Sequence, residues 1–293
     1  MILLIQLLIN GIVEGALYAL MAQGFAIIYR GARVFHIAHG SIYIAGAYSL
    51  FSFYNLLHLP LIMSIFFTLL LVTLIGILCE ILVYSRLAKR QASGSVFIIA
   101  SLAIYIIIIN SIALFFGNET QIVFKEISKS YALGEIIVTK IQILQFLFAS
   151  LSLVFVLIFL TRTRFGMSLK ALANNPLLSL ALGLDIKVLR IIIFAIGSLL
   201  CGITAILISI DVGIDPWSGM SMLLSGAVAM IIGGVNKWEG PILGGFFLGI
   251  VQALAVWQIS ARWQDVVTFA LFIIFLFFRP QGILGLKLRM EEV

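Results

Sequence analysis

Long apolar runs, almost free of charged residues, dominate this sequence and limit what the chain can fold into. Hydrophobic residues make up 63% of its 293 residues and charged residues only 10%, whereas a soluble domain carries about 25% charged residues on its wet surface. Several runs approach the ~20 residues with which a helix crosses a bilayer. The sequence therefore predicts an all-α integral membrane protein, with one transmembrane domain over residues 1–293.

The apolar runs predict a polytopic bundle of about eight to ten crossings. They lie at about 3–29, 41–57, 59–85, 95–116, 141–161, 191–210, 220–235, 241–257 and 265–278. Four of them fall short of a full crossing, namely 41–57, 220–235, 241–257 and 265–278. Short or broken helices persist in a membrane only where protein or a water-filled path surrounds them. These four segments are therefore candidates for broken helices.

The basic residues predict the orientation of the chain. Thirteen of the 18 lie in one set of alternate loops: Arg30, Arg33, Arg86, Lys89, Arg90, Arg162, Arg164, Lys170, Lys187, Arg190, Arg279, Lys287 and Arg289. The opposite loops are balanced or acidic, with Lys125, Lys129, Lys140, Glu119, Glu126, Glu135, Asp211 and Asp215. By the positive-inside rule the first set is cytoplasmic, so the N-terminus lies outside and the C-terminus inside. The net charge of +6 thus reflects topology and not binding to nucleic acid.

The cytoplasmic loop at about 162–190 predicts two short helices. The first should end near Asn174, because a residue that closely precedes a proline disfavours helix. Asn175 can cap the second helix, with the following proline at its first position. Gly183 suits a left-handed stop, and Asp185 can cap the next membrane helix.

Two interpretations of this helix pair are open. It could anchor the chain at the membrane surface, or it could be a rigid element that transmits force from a cytoplasmic motor. The small side chains of Ala171 and Ala173 would let a partner approach closely, which favours the second interpretation. The outer loop, at about 117–140, is polar and mixed in charge, which suits a partner that docks from outside.

Four stretches of the sequence form recognisable motifs. The first, in the cytoplasmic loop, comprises Lys170, Ala171, Leu172, Ala173, Asn174 and Asn175, followed by Ala181, Leu182, Gly183 and Leu184. The other three are Asn10-Gly11 through Tyr18-Ala19-Leu20 with Ile37-Ala38-His39-Gly40 and Gly46-Ala47-Tyr48, then Gly233-Gly234-Val235 with Gly240-Pro241-Ile242-Leu243-Gly244, and finally Phe278-Arg279-Pro280-Gln281-Gly282-Ile283-Leu284-Gly285. The loop motif is similar to the coupling motif of ABC importer permeases, and the four together, which run from the first span to the last, make the whole chain resemble the branched-chain amino acid permease family among them.

The resemblance implies a five-part importer in the inner membrane of a bacterium or archaeon, surrounded by lipid. Two similar but distinct permeases form the pathway, two ATPases work in the cytoplasm, and an extracytoplasmic binding protein delivers a small solute. Branched-chain or other apolar amino acids are the first expectation for that solute, and urea or short amides are the second. The residues implied to couple to the ATPases are Lys170, Ala171, Leu172, Ala173, Asn174, Asn175 and Gly183.

The chain shows no nucleotide-binding motif of its own. It lacks a Gly-x-x-x-x-Gly-Lys-Ser/Thr stretch, so we expect ATP and Mg²⁺ on partner subunits and no cofactor on this chain. His36 and His39 could share a helical face, but two ligands without a nearby acid or thiolate make a poor metal site. Cys79 and Cys201 lie in apolar runs and are interpreted as packing residues. Two other classes of protein are alternatives to the importer permease. The first is a secondary carrier or channel that needs no ATPase. The second is an intramembrane enzyme, which the lack of a recognisable set of catalytic residues disfavours.

Several residues within the apolar segments are candidates for the pathway. Glu14 lies about midway along the first segment, where a carboxylate costs about 2.5–3.5 kcal/mol to insert, so it faces protein or water. Two interpretations of Glu14 are open: a protonated or hydrogen-bonded packing residue, or a pathway residue near the subunit interface. Glycines at the ends of short segments would permit broken helices that line a path, whereas the spacings Gly11-x-x-x-Gly15 and Gly245-x-x-x-Gly249 favour close helix packing. The candidate pathway residues are Glu14, His39, Gly40, Ser41, Gly233, Gly234, Gly240 and Pro241.

Overall fold

The computed structural model describes residues 2–124 and 129–285, which form a helical bundle with a small hairpin. The helices are α1 (Ile2–Ala32), α2 (Ala38–Phe51), α3 (Leu61–Leu78), α4 (Ser85–Lys89), α5 (Gly94–Phe116), α6 (Lys140–Arg162), α7 (Arg164–Asn174), α8 (Pro176–Ala181), α9 (Ile186–Ser209), α10 (Ser218–Gly233), α11 (Gly240–Gln258) and α12 (Gln264–Phe278). A π-helical turn, Ser52–Leu56, extends α2, and another, Cys79–Tyr84, joins α3 to α4. The topology prediction also used residues outside the described ranges: Lys125, Glu126, Lys287 and Arg289.

Every apolar segment predicted from the sequence forms a helix, which confirms the all-α polytopic fold. Within the described ranges, seven helical units are long and apolar enough to cross a membrane. They are α1, α3 with α4, α5, α6, α9, α11, and α12 with the short turn before it. The last two are longer than their apolar runs, because polar residues at their ends also adopt helix. Helix α10, with 16 residues, keeps the short length that the sequence predicts for it, whereas the π-helical turn extends α2 to Leu56.

A β-hairpin marks one end of the bundle and was not predicted from the sequence. Strands β1 (Ser130–Leu133) and β2 (Ile136–Thr139) pair antiparallel across a tight turn in which Gly134 has φ +68°, a conformation that favours glycine. The β-branched run of β2 suits a strand. The amide of Gln6 bonds to Ile137 N and O at 2.9 and 2.8 Å, which fixes the hairpin to α1. We call this side the hairpin end and the opposite side, with α7 and α8, the short-helix end.

Helix α1 lies at the centre of the bundle and packs most closely on α11. The prediction that the two glycine pairs bring helices together is confirmed. A methyl group added at Gly11 would lie 2.6 Å from the Gly249 carbonyl oxygen, and one added at Gly15 would lie 3.1 Å from that of Gly245. Backbones this close gain dispersion contacts that larger side chains would prevent. The crossing therefore fixes one face of α1 against α11.

Helix α2 begins inside the bundle and not at its surface. The backbone N–H of Ala38 donates to Ser101 Oγ at 3.0 Å, and the carbonyl of His39 accepts from Cys201 Sγ at 3.2 Å. Both partners lie within membrane-length helices, α5 and α9. Cys201 is 15 residues into α9, or about 22 Å along it. The first turn of α2 is thus a broken-helix end that protein groups satisfy, as such ends require within a membrane.

The capping predictions for the short-helix end are confirmed. Helix α7 ends at Asn174, and the Asn175 side chain accepts from Leu178 N at 3.0 Å to cap α8. Gly183 adopts φ +78°, and Asp185 Oδ1 accepts from Lys187 N at 2.9 Å at the start of α9. Each of these bonds satisfies a terminal backbone group that the helix itself leaves unpaired.

One part of the prediction for α7 is wrong. Ala173 is buried against the chain itself, as is Leu172, so Ala173 cannot be a small surface residue that a partner approaches. Arg33 Nη2 donates to the carbonyl of Ala173 at 2.8 Å, where it also neutralises the partial negative charge of the helix end. This bond ties the C-terminus of α7 to the residue that follows α1. Ala171 is only partly buried and stays available.

A buried ion pair, which the sequence analysis did not predict, joins three parts of the bundle. Glu80 is fully buried, and its carboxylate receives Arg190 Nε and Nη2, the latter at 3.0 Å from Oε2. Ser85 Oγ donates to the same carboxylate at 2.9 Å. Such a bidentate arrangement offsets the desolvation of both charges. It holds the turn between α3 and α4 against the start of α9.

Candidate functional site

A polar cavity of about 320 Å³ lies inside the bundle, beside the hairpin end. It is bordered by the first half of α1, the starts of α6, α10 and α12, the end of α9, and by α2 and α11. Its main polar lining residues are Asn10, Glu14, Tyr18, Gln145, Gln252 and Asp265. A cavity of this size suits a small molecule. Its polarity contrasts with the apolar helices around it.

The charges that line the cavity are all acidic among the described residues. Asp265 Oδ1 accepts from Ser221 Oγ at 2.8 Å, and Asp211 Oδ2 accepts from Gln145 Nε2 at 3.3 Å. Burial raises the pKa of the Asp211 carboxyl above its usual value, and the bond from Gln145 opposes that rise. Glu14, half-buried, accepts no hydrogen bond from any residue that the structure describes. Its carboxylate is therefore available to a molecule in the cavity.

Gln252 adds a second available acceptor. Its side chain is 1% exposed, and its Nε2 donates to Thr268 Oγ1 at 2.6 Å. Its Oε1 has no hydrogen-bond partner in the described part of the chain. A buried carbonyl oxygen without a hydrogen-bond donor destabilises the folded protein by about 1–3 kcal/mol, the free energy of removing it from water. A donor from a bound molecule would offset that cost.

Of the predicted pathway residues, only Glu14 lines this cavity. His39, Gly40 and Ser41 are buried at the start of α2, and a methyl group added at Gly40 would lie 2.6 Å from the Gly219 carbonyl oxygen of α10. The rest lie where α10 turns into α11 at the short-helix end: Gly233, Gly234, Gly240 and Pro241. Glycine is required at 233 and 240, because any side chain there would clash with the opposing backbone.

The predicted coupling residues lie together at the short-helix end, beside an exposed apolar surface. Lys170 and Asn174 line a hollow of about 580 Å³ with Arg30 and Lys237. On α8 and just after it, four leucines project from the chain; we call them the leucine patch, and they are Leu177, Leu178, Leu180 and Leu182. Leu177 is 79% exposed and Leu182 68% exposed. Apolar surface of this extent on a polar end of the bundle marks a contact with lipid or protein.

The cavity residues other than Glu14 were missed by sequence reasoning, although a pattern for some of them exists. Asn10, Glu14 and Tyr18 recur every four residues, so they share one face of α1. Three polar residues on one face of an apolar helix predict a polar surface inside a membrane bundle. No comparable pattern links them to Gln145 or Gln252, which come from distant parts of the chain.

A helical bundle of membrane length with a polar cavity, and with a capped helix pair at one end, is typical of a membrane-embedded permease. The chain belongs to the family described as "Branched-chain amino acid transport system / permease component", whose model matches residues 7–276. It is accordingly a multi-pass inner-membrane protein and an ABC importer permease subunit.

Curated relatives match along almost the full chain. The permease protein BraD of Pseudomonas aeruginosa, from a high-affinity branched-chain amino acid transport system, is 28% identical over 96% of this chain and 95% of its own. LivH of Escherichia coli K12, which carries the same description, is 26% identical over 96% and 95%. A probable branched-chain amino acid transport permease of Methanocaldococcus jannaschii, also named LivH, is 26% identical over 96% and 92%.

A solved structure has the same fold. A chain of PsaBC from Streptococcus pneumoniae, in complex with a Fab, superposes with a TM-score of 0.51 and 18% identity. The match covers 96% of this chain and 93% of that chain. The similarity concerns the arrangement of helices alone.

Proposed function

We propose that this chain forms one half of the solute pathway of an ATP-driven importer and that its cavity is the part of the pathway nearest the hairpin end. The observation that carries this proposal is a polar cavity inside an apolar bundle, in a chain of a permease family. The names of the relatives support branched-chain amino acids as the solute. Urea or a short amide is the second candidate, because amide and hydroxyl groups line much of the cavity.

We assign different roles to the predicted pathway residues. Glu14 contacts the solute. His39, Gly40 and Ser41 hold the broken start of α2 against α10, and Gly233, Gly234, Gly240 and Pro241 hold the tight turn from α10 into α11. In an alternating-access cycle these close backbone contacts let helices shift as units, while the cavity opens first to one side and then to the other.

The short-helix end is proposed to face the cytoplasm, with the N-terminus outside and the C-terminus inside. The concentration of basic residues near α7 and α8 supports this orientation. Two ATPases would dock on the short-helix ends of this chain and of a second, homologous permease, and ATP with Mg²⁺ would bind to them. An extracytoplasmic binding protein would dock at the hairpin end.

Labelling of single cysteines tests the orientation. Lys129→Cys, at the hairpin end, should react with a membrane-impermeant thiol reagent added outside, and Asn174→Cys should react only after the membrane is opened. Both positions are exposed, and the native thiols Cys79 and Cys201 are buried and should stay silent. Reaction of both cysteines from one side would contradict the proposed topology.

The leucine patch tests the docking of the ATPases. Leu177→Asp should reduce the amount of ATPase that co-purifies with the permease at least about tenfold, because a charge in an apolar contact carries a large desolvation cost. The chain itself should still fold, since Leu177 is 79% exposed. Leu57→Asp is the matched control, at a leucine 62% exposed on the hairpin end, and should leave the ATPases bound.

The same variants separate docking from anchoring. A surface anchor predicts that Leu177→Asp loosens the loop from the membrane while the ATPases stay bound to the permease. That result would show that the leucine patch contacts lipid and would contradict its assignment to the ATPases.

A further inference from the structure

We infer that the cavity binds the ammonium group of its solute, through Glu14 and Gln252, and therefore selects solutes that carry an ammonium over neutral amides and anions. This inference rests on the proposed function and narrows its substrate class. It starts from two acceptors: Oε1 of Gln252, which is buried without a donor among the described residues, and the carboxylate of Glu14, which lines the same cavity and receives no hydrogen bond from them.

The crossing of α1 and α11 brings these two acceptors into the same cavity. Glu14 precedes Gly15, and Gln252 follows Gly249 by one helical turn. These glycines belong to the crossing of α1 and α11, where a methyl group added at Gly11 would lie 2.6 Å from the Gly249 carbonyl oxygen. The close approach of the two backbones thus brings both residues to the lining of one cavity.

The charge of the cavity sets the sign of the group it binds. Glu14, Asp211 and Asp265 line it, and no Lys, Arg or His does so within the described ranges. Ser221 and Gln145 already donate to two of these carboxylates, so Glu14 is the one that lacks a partner. An ammonium has three donors and no acceptor, and it therefore satisfies Glu14 and Gln252 together. An anion meets only repulsion, and a neutral amide forfeits the charge-assisted bond.

The remaining lining fits an aliphatic group. Apolar side chains of Val13, Leu17, Ile208, Val212 and Met222 also line the cavity, and their surface favours an alkyl chain over a second polar group. The described lining residues include no cationic side chain that could pair with the carboxylate of a bound amino acid. We therefore expect an alkylamine to bind about as well as the amino acid with the same side chain.

A competition experiment on the purified permease–ATPase complex, without the binding protein, tests the inference. Labelled L-leucine is bound to the complex and displaced by isopentylamine, 4-methylpentanoate or urea. Isopentylamine should compete within about tenfold of unlabelled leucine, and the other two at least about tenfold more weakly than isopentylamine, as expected for loss of a charged hydrogen bond. Equal competition by 4-methylpentanoate or urea would overturn the inference.

Variants identify the carboxylate responsible. Glu14→Gln should weaken leucine binding at least about tenfold and remove the preference for the amine over 4-methylpentanoate. Asp265→Asn is the matched control: it removes a charge from the same cavity, but from a carboxylate that Ser221 already bonds. It should weaken binding less than Glu14→Gln and keep the preference. An equal effect of both variants would contradict direct contact by Glu14.

The wild-type complex separates failure of this inference from failure of the proposed function. A complex that assembles, hydrolyses ATP and takes up solute, but prefers urea or 4-methylpentanoate in competition, refutes the ammonium site and leaves the importer intact. A chain that never assembles with ATPases refutes the proposed function itself. The competition order is measured on the wild type, so it stands even where Glu14→Gln fails to fold.

Discussion

Replacement of Arg190 by leucine is expected to remove most of the folded protein. The substitution leaves the fully buried Glu80 without its bidentate partner, and breaking a buried pair in this way costs about 3–5 kcal/mol. Many proteins have only about 5–15 kcal/mol of stability in total. The yield of monodisperse protein in detergent and its thermal unfolding midpoint should both fall sharply.

The double variant Glu80→Leu with Arg190→Leu is the control for this prediction. Removing both charges leaves no uncompensated group, and such replacements are often close to neutral. We expect it to recover most of the yield lost by Arg190→Leu alone. A single variant as stable as the wild type would show that the pair contributes little, and a double variant no better than the single would show that packing of the arginine matters more than its charge.

Dependence on partner subunits is the second large effect that we expect. Alone in liposomes the chain should move no solute, with or without ATP, because ligand and nucleotide must bias the same pair of permeases. Adding the second permease and both ATPases should restore ATP hydrolysis. Adding the binding protein with its ligand should raise that hydrolysis and give uptake, followed with labelled leucine.

The outcome of this reconstitution distinguishes the two classes of transporter. Uptake by the isolated chain, driven only by an ion or solute gradient, would contradict the importer and favour a secondary carrier. Vesicles that contain the Leu177→Asp variant with all partners provide the matched control, because ATPases that cannot dock should leave the permease as inactive as the chain alone.

Local features of the short-helix end could be predicted from the sequence because neighbouring residues determine them. Asn175, Gly183 and Asp185 act on backbone groups a few positions away, and the structure places each as predicted. The buried face of α7 could also have been predicted from the sequence, because Gly166, Leu169 and Leu172 recur at helical spacing and all are buried. Counting that period would have placed Ala173 inside as well.

The cavity and the ion pair could not be predicted in the same way. Glu80 and Arg190 are 110 positions apart in the sequence, and Glu14 and Gln252 line the same cavity only because α1 and α11 cross at their glycines. Such contacts depend on which helices become neighbours, and hydrophobic periodicity says little about this when nearly every face of a helix is apolar. Only the four-residue spacing of polar groups along α1 pointed toward the cavity.

The bond from Arg33 to the carbonyl of Ala173 connects α7 to the C-terminal end of α1, and α1 extends from there to the hairpin end of the molecule. Helix α1 is one uninterrupted rod of 31 residues, and 18 positions, or about 27 Å, separate Glu14 from its last residue. A tilt of the rod by about 5° at the Arg33 end would displace Glu14 by about 2 Å, roughly the difference between a hydrogen bond and a broken contact. Motion of α7 would thus reach the solute through a single stiff helix, with no relay of side chains between them.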